Sequence, residues 1–277
     1  MTLPVGVALP TTPELTGPAA FLELAQAAER LGYAHVWVSD HVLLPAGSHV
    51  PDDHQLDPLA SLGWLAAHTQ RIGLGTSVLV LPYRGAAATA KSLATVDWFA
   101  GGRVIVGVGA GWLRAEFAAL GVPFEERGRR TDAAIQELRD LWAGRDELTC
   151  LPAAAIPILV GGSSPAALER AARLGDGWHP LNLTAAALAD AVPRYRAACA
   201  AHERPVGRVV ARVFPPGLAP GRERDALLGD DLAAVREELA AFAAAGADEL
   251  VISWEEEGVE LAAVLERWER FAAGVAS

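Results

Sequence analysis

The chain has 277 residues, 52% of them hydrophobic and 21% charged, a composition that can bury a large core and excludes a disordered chain. A net charge of −11 argues against a nucleic-acid partner, whose phosphates call for a basic surface. The opening MTLPVGVALP lacks a basic stretch, and no apolar run approaches the roughly 20 residues of a membrane span, so a cytoplasmic protein without membrane contact is expected.

Short apolar runs alternate with helix-period segments along the whole chain. Val5–Pro10 reads as a strand followed by a helix over Pro18–Leu31, and His35–Asp40 is followed by Pro58–His68. Ile72–Leu81 precedes Ala86–Phe99, and Val104–Gly109 precedes Thr131–Trp142. Ile158–Val160 leads to Pro165–Leu174, and Gly177–Leu181 to Thr184–His202, with a bend expected at Pro193. Val209–Phe214 with Asp231–Ala245 and Leu250–Trp254 with Leu261–Ala273 complete the series. Strict alternation implies a parallel sheet with right-handed crossovers. Eight units favour closure into a single (β/α)8 barrel of about 250 residues, with 1–277 as one domain; an open doubly wound sheet would share the alternation. In a closed barrel the chemistry sits at the C-terminal strand ends.

Asp40-His41 closes the second strand. A histidine there can donate to a ring carbonyl or relay a proton, with the neighbouring carboxylate as its orienter; the plain alternative is a loop cap beside an exposed imidazole. After the fifth strand, Gly161-Gly162 allow close backbone approach, and Ser163-Ser164-Pro165 start a helix as cap and first residue. That is either an anion site suited to a phosphate or an ordinary tight turn. Gly107, Gly109 and Gly111 have the wrong spacing for a dinucleotide fingerprint and read better as bare backbone passed by a ring. Gly75 inside the third strand marks a bulge or a close contact. Trp112, Trp178 and Trp254 stand at strand ends, where they could line a substrate pocket. His49, Asp53, His54 and Asp57 share a loop without metal-ligand spacing, so no metal is expected. The two cysteines, Cys150 and Cys199, make no disulfide framework. The sole lysine, Lys91, falls in helix interior sequence, which speaks against a Schiff-base aldolase.

LGYAHVWVSDH, RIGLGTSVLVLP, KSLATVDWFAGGR, RVIVGVGAGWLRAEFAALGVPFEERGRR, PILVGGSSPAALERAARLGDGW and AAGADELVISW follow one another over most of the chain. In that order they resemble the luciferase-like monooxygenase family, in particular its coenzyme F420-dependent oxidoreductase branch. The resemblance implies a deazaflavin across the barrel mouth, its phosphate near Gly161, Gly162, Ser163 and Ser164. It also implies a non-prolyl cis peptide at Ser77-Val78 behind the ring, with Gly109, Ala110 and Gly111 passing close to it. His41 beside the ring, with Asp40, would be catalytic. The implied activity is hydride transfer between the deazaflavin and a small organic substrate. The alternatives are an FMN-dependent monooxygenase using oxygen and, in another class, a non-catalytic flavin- or deazaflavin-binding barrel. A homodimer through helices beside the second and third strands is implied as well.

The chain departs from the family's sugar-phosphate dehydrogenases. Their catalytic glutamate near the fourth strand end is matched here by Trp112, and their aromatic residue four positions after the histidine by Pro45. A flatter, more apolar substrate is expected. The short segment between Trp142 and Ile156 implies a reduced lid.

Overall fold

The computed structural model describes residues 3–45, 54–144, 148–214, 231–254 and 258–276. Eight parallel strands close into a barrel in chain order: β1 Val5–Ala8, β2 His35–Val38, β3 Gly73–Val80, β4 Val104–Gly109, β5 Ile158–Gly161, β6 Gly177–His179, β7 Arg208–Val213 and β8 Glu249–Ile252. β8 pairs back onto β1, Val5 opposite Leu250 and Val7 opposite Ile252, which rules out the open sheet. Around it lie α1 Pro18–Leu31, α2 Pro58–His68, α3 Ala86–Ala100, α4 Arg114–Ala119, α5 Arg127–Trp142, α6 Pro165–Leu174, α7 Ala185–Ala201, α8 Leu232–Ala244 and α9 Leu261–Ala276. None of the described helices is long and apolar enough to cross a membrane.

Local chemistry sets the helix ends. Gly32 closes α1 in the left-handed region at φ 81°, where its N–H reaches the last carbonyls without a Cβ penalty. Asp57 caps α2 by accepting the amides of Leu59 and Ala60, each at 2.9 Å, with Pro58 as first residue. The sequence pattern misses α4 and starts α5 four residues late. α7 runs through Pro193 as one helix.

Two layers of core follow from the period-two alternation of the strands. Ala8, Trp37, Ile105, Leu159, Val210 and Val251 fill the barrel. Their neighbours Val7, Val36, Val106, Ile158, Val209 and Leu250 join the outer core with Leu24, Leu62, Leu93, Ile135 and Phe242 of the helices. Trp37 explains Gly75: a Cβ there would sit 2.4 Å from the indole. Beneath it, fully buried Glu249 accepts from Trp37 Nε1 at 3.3 Å and Arg208 at 3.1 Å and pairs with His35 at 3.0 Å, plugging the N-terminal end.

Candidate active site

At the C-terminal mouth, β2 delivers Asp40 and His41, and the two side chains part. Asp40, 3% exposed, accepts the Val80 amide at 2.9 Å and meets the Arg84 guanidinium at 2.5 Å. Burial raises its carboxyl above the usual range, against the pull of Arg84. It ties the end of β2 to the end of β3. The expectation that Asp40 orients His41 is therefore corrected: the residues are adjacent in the chain, but the Asp40 carboxylate is engaged by Val80 and Arg84.

The carboxylate on His41 is that of Glu116, from the short helix α4. His41 Nδ1 lies 2.8 Å from Glu116 Oε2, and the Val42 and Leu43 amides donate to Oε1 at 2.6 and 3.2 Å. Tyr83 Oη donates to Oε2 at 3.0 Å. Glu116 is fully buried. Burial alone would raise its pKa, but the bonds from His41, Val42 and Leu43 outweigh it and hold the carboxyl below the usual range. Tyr83 is pushed upward by burial and then by Glu116, so it keeps its proton and donates. Trp112 stands edge-on to the His41 imidazole, centroids 6.3 Å apart, and is 64% exposed. Nothing local in the sequence links Glu116 to His41; the only signal is an acid beside the apolar Phe117 just past the fourth strand.

The peptide Ser77-Val78 is cis, as the resemblance implied, and the β3–β4 register shifts between Thr76 and Leu79. Val78 sends its side chain across β4 and β5. A Cβ on Gly109 would lie 2.5 Å from Val78 Cγ2, and one on Gly161 2.6 Å from Cγ1. Gly111, at φ +78°, would carry a Cβ 2.7 Å from Phe117. These three glycines, expected to be bare for a ligand, are bare for protein side chains. Ser77 points into the barrel rather than at the mouth. Its Oγ is 2.6 Å from His179 Nε2 and accepts from Arg212 at 3.0 Å, while the Ser77 carbonyl accepts from Arg212 at 2.5 Å. Arg212 also donates to Ser253 at 2.9 Å and Ser39 at 3.2 Å. His179 stacks on Trp37, centroids 5.1 Å apart, and its Nδ1 is 2.6 Å from the Val210 carbonyl. Burial and then Arg212 push its imidazole down to about 3. Sequence reasoning passed over this polar floor, although a lone arginine in the apolar run VVARVF was its signal.

In the turn after β5, Ser164 caps α6 through Ala167 at 3.2 Å, as expected. Ser163 is spent on Leu181: Oγ donates to its carbonyl at 2.6 Å and accepts its amide at 3.0 Å. Gly162 sits at φ +114°. Pro165 lacks an N–H and Ala167 is capped, which leaves exposed Ala166 as the first-turn residue between them. Ala110 is half-buried beside Gly111. Trp178 and Trp254 do not line the mouth. Trp178, 1% exposed, donates to the Gly162 carbonyl at 2.8 Å and packs on Tyr195, while Trp254 packs on Phe271 and Trp268. Both face the helices. His54 pairs with Thr16 at 2.8 Å and Asp57 caps α2; His49 and Asp53 lie outside the described residues.

A family model described as luciferase-like monooxygenase matches residues 2–274. The chain belongs to the luciferase-like monooxygenase family. Among curated relatives, an F420-dependent hydroxymycolic acid dehydrogenase of Mycobacterium tuberculosis is 35% identical over 228 residues, 76% of this chain and 60% of the relative. The chain spans between 54% and 64% of the length of the first curated relatives it matches. Two solved structures share the fold over nearly all of both chains. An F420-dependent secondary alcohol dehydrogenase in complex with an F420-acetone adduct has a TM-score of 0.80 at 18% identity, each chain covered to 99%. A type II Baeyer-Villiger monooxygenase in complex with FMN has 0.78 at 15%, covering 100% of this chain and 98% of the other. In this luciferase-like barrel, Trp112 leaves the strand-end position without a carboxylate, and Glu116, four residues on, brings one to His41 instead.

Proposed function

We propose that the chain is an F420-dependent oxidoreductase in which His41 handles the proton that accompanies hydride transfer to or from a small organic substrate. The observation that carries this is His41 at the barrel mouth, anchored through Nδ1 on a buried glutamate, with no partner on its other nitrogen among the described residues. The residues present fit a flat ring with a phosphate-bearing chain. Val78 is half-buried at the mouth, and the Gly162–Ser164 turn opens α6 at its N-terminus. When bound, the deazaflavin supplies the hydride chemistry at its C5. Val78 and Ala110 would hold the ring and Gly162 with Ser164 its phosphate. Trp112, with exposed Val42 and Leu43 beside His41, forms an apolar rim that favours a flat, apolar substrate. The F420-dependent name of the curated relative in M. tuberculosis supports the deazaflavin over FMN. In parallel titrations of the apoprotein, F420 is expected to bind at least about tenfold tighter than FMN, ~1.4 kcal/mol. Equal or tighter FMN binding would favour the monooxygenase reading, and tight F420 binding without turnover on any acceptor a carrier.

The assembly we infer is a homodimer through α2 and α3. Gly63 of α2 faces Val96 of α3, which brings exposed Trp64 to the level of Trp98 and Phe99, each of these two 64% exposed. Sedimentation should give twice the chain mass for the wild type and a monomer for Trp98→Asp; a monomeric wild type would count against the pairing.

A further inference from the structure

We propose that Glu116 is the positioning residue that fixes His41 as the Nδ1–H tautomer, leaving Nε2 as a proton acceptor at the mouth. Each oxygen of Glu116 meets two groups: the Val42 and Leu43 amides on Oε1, His41 Nδ1 and Tyr83 Oη on Oε2. The two amides can only donate, so Oε1 must offer them its lone pairs, and a proton on the carboxyl would have to sit on Oε2, between it and Nδ1 or the Tyr83 oxygen. The donors around the carboxyl hold it below the usual range, which favours the ionised form in which Tyr83 donates as well. An ionised carboxylate accepts only, and then Nδ1 must carry the hydrogen. In its neutral form the imidazole then keeps one lone pair, on Nε2. A hydroxyl that gives its proton to Nε2 breaks its O–H bond as the N–H bond forms, and the resulting imidazolium faces the Glu116 charge. In the reverse direction the imidazolium returns that proton.

The same carboxylate pins the chain that follows. By holding the Val42 and Leu43 amides, Glu116 fixes the backbone on which the imidazole turns as well as its hydrogen. A glutamine in its place has one acceptor oxygen for four donors. Its NH2 group must face either the two amides or Nδ1. Facing Nδ1 it donates, and the imidazole hydrogen moves to Nε2, where it blocks proton acceptance.

The test reads the tautomer in the apoprotein, so it stands apart from the cofactor reading on which only the use of Nε2 depends. Long-range ¹H–¹⁵N correlation spectra of protein labelled in histidine, with His41 assigned by its loss in His41→Ala, should show a protonated Nδ1 and a bare Nε2. Glu116→Gln should move the hydrogen to Nε2 and lower kcat by roughly 10²–10⁴-fold, with KM and cofactor affinity changed only a few fold. Tyr83→Phe removes one donor and should keep the wild-type tautomer. A wild-type Nε2–H imidazole overturns the proposal, whether or not the glutamine variant folds. So does Glu116→Gln with the wild-type tautomer and turnover, or a tautomer lost in Tyr83→Phe, which would move the positioning role to Tyr83.

Discussion

His41→Ala is expected to lower kcat by roughly 10²–10⁴-fold, the range of a lost general acid–base group, and to leave cofactor affinity within a few fold. The imidazole sits against Glu116 and edge-on to Trp112, so its removal opens space at the reacting centre without touching the Gly162–Ser164 turn. The fold should tolerate the change, because His41 is only half-buried and contributes no side chain to either core layer. Glu116 keeps three of its four donors in the variant. Steady-state rates with separate cofactor titrations check this. Unchanged turnover would make the histidine a bystander, and loss of binding in step with turnover would make it an anchor.

A second large effect is expected in acid. His179 is held neutral in the folded chain, its imidazole pushed from an ordinary 6.5 down to about 3 by burial and then by Arg212. The unfolded chain takes up a proton at this residue below about pH 6.5, which the folded chain refuses until about pH 3. Folding stability from this group is thus whole above 6.5 and falls as pH drops through that window, by about 1.4 kcal/mol per pH unit at most. Asp40, raised by burial, pulls the other way; Glu116, and Glu29 of α1, which accepts the Gln70, Arg71 and Ile72 amides ahead of β3, are lowered by their hydrogen bonds and pull the same way as His179. The comparison with His179→Gln isolates the effect. Denaturant unfolding across pH 7 to pH 4 should show the wild type losing stability faster than the variant as pH falls. Parallel pH profiles would mean that His179 titrates normally inside the barrel.

Much of this fold is legible in one dimension. Strands buried on both faces read as apolar runs, and Gly32, Gly101 and the cap Asp57 punctuate the helices between them. Helix α4 is not legible, because six residues complete fewer than two turns and show no apolar period. The site divides in the same way. The β3 bulge and the α6 cap leave local signals, a glycine within a strand and a serine before a proline. The His41–Glu116 pair joins residues 75 positions apart and exists only once the barrel closes. Trp178 and Trp254 illustrate a different gap: a place at a strand end does not say which face a side chain takes. Period two supplies that answer for β6, where inward His179 turns its neighbour Trp178 outward. Gly109 and Gly161 were readable as required glycines, but not the reason, because Val78 reaches them from another strand.

The most direct test of the proposed activity is anaerobic mixing of the protein with oxidised F420 and a panel of secondary alcohols bearing flat, apolar groups. The deazaflavin's visible absorbance should fade only with both protein and alcohol present, the carbonyl product should form in equal amount, and His41→Ala should slow both. No fading with any alcohol, together with oxygen-dependent conversion of the corresponding ketones in the presence of reduced FMN, would contradict it.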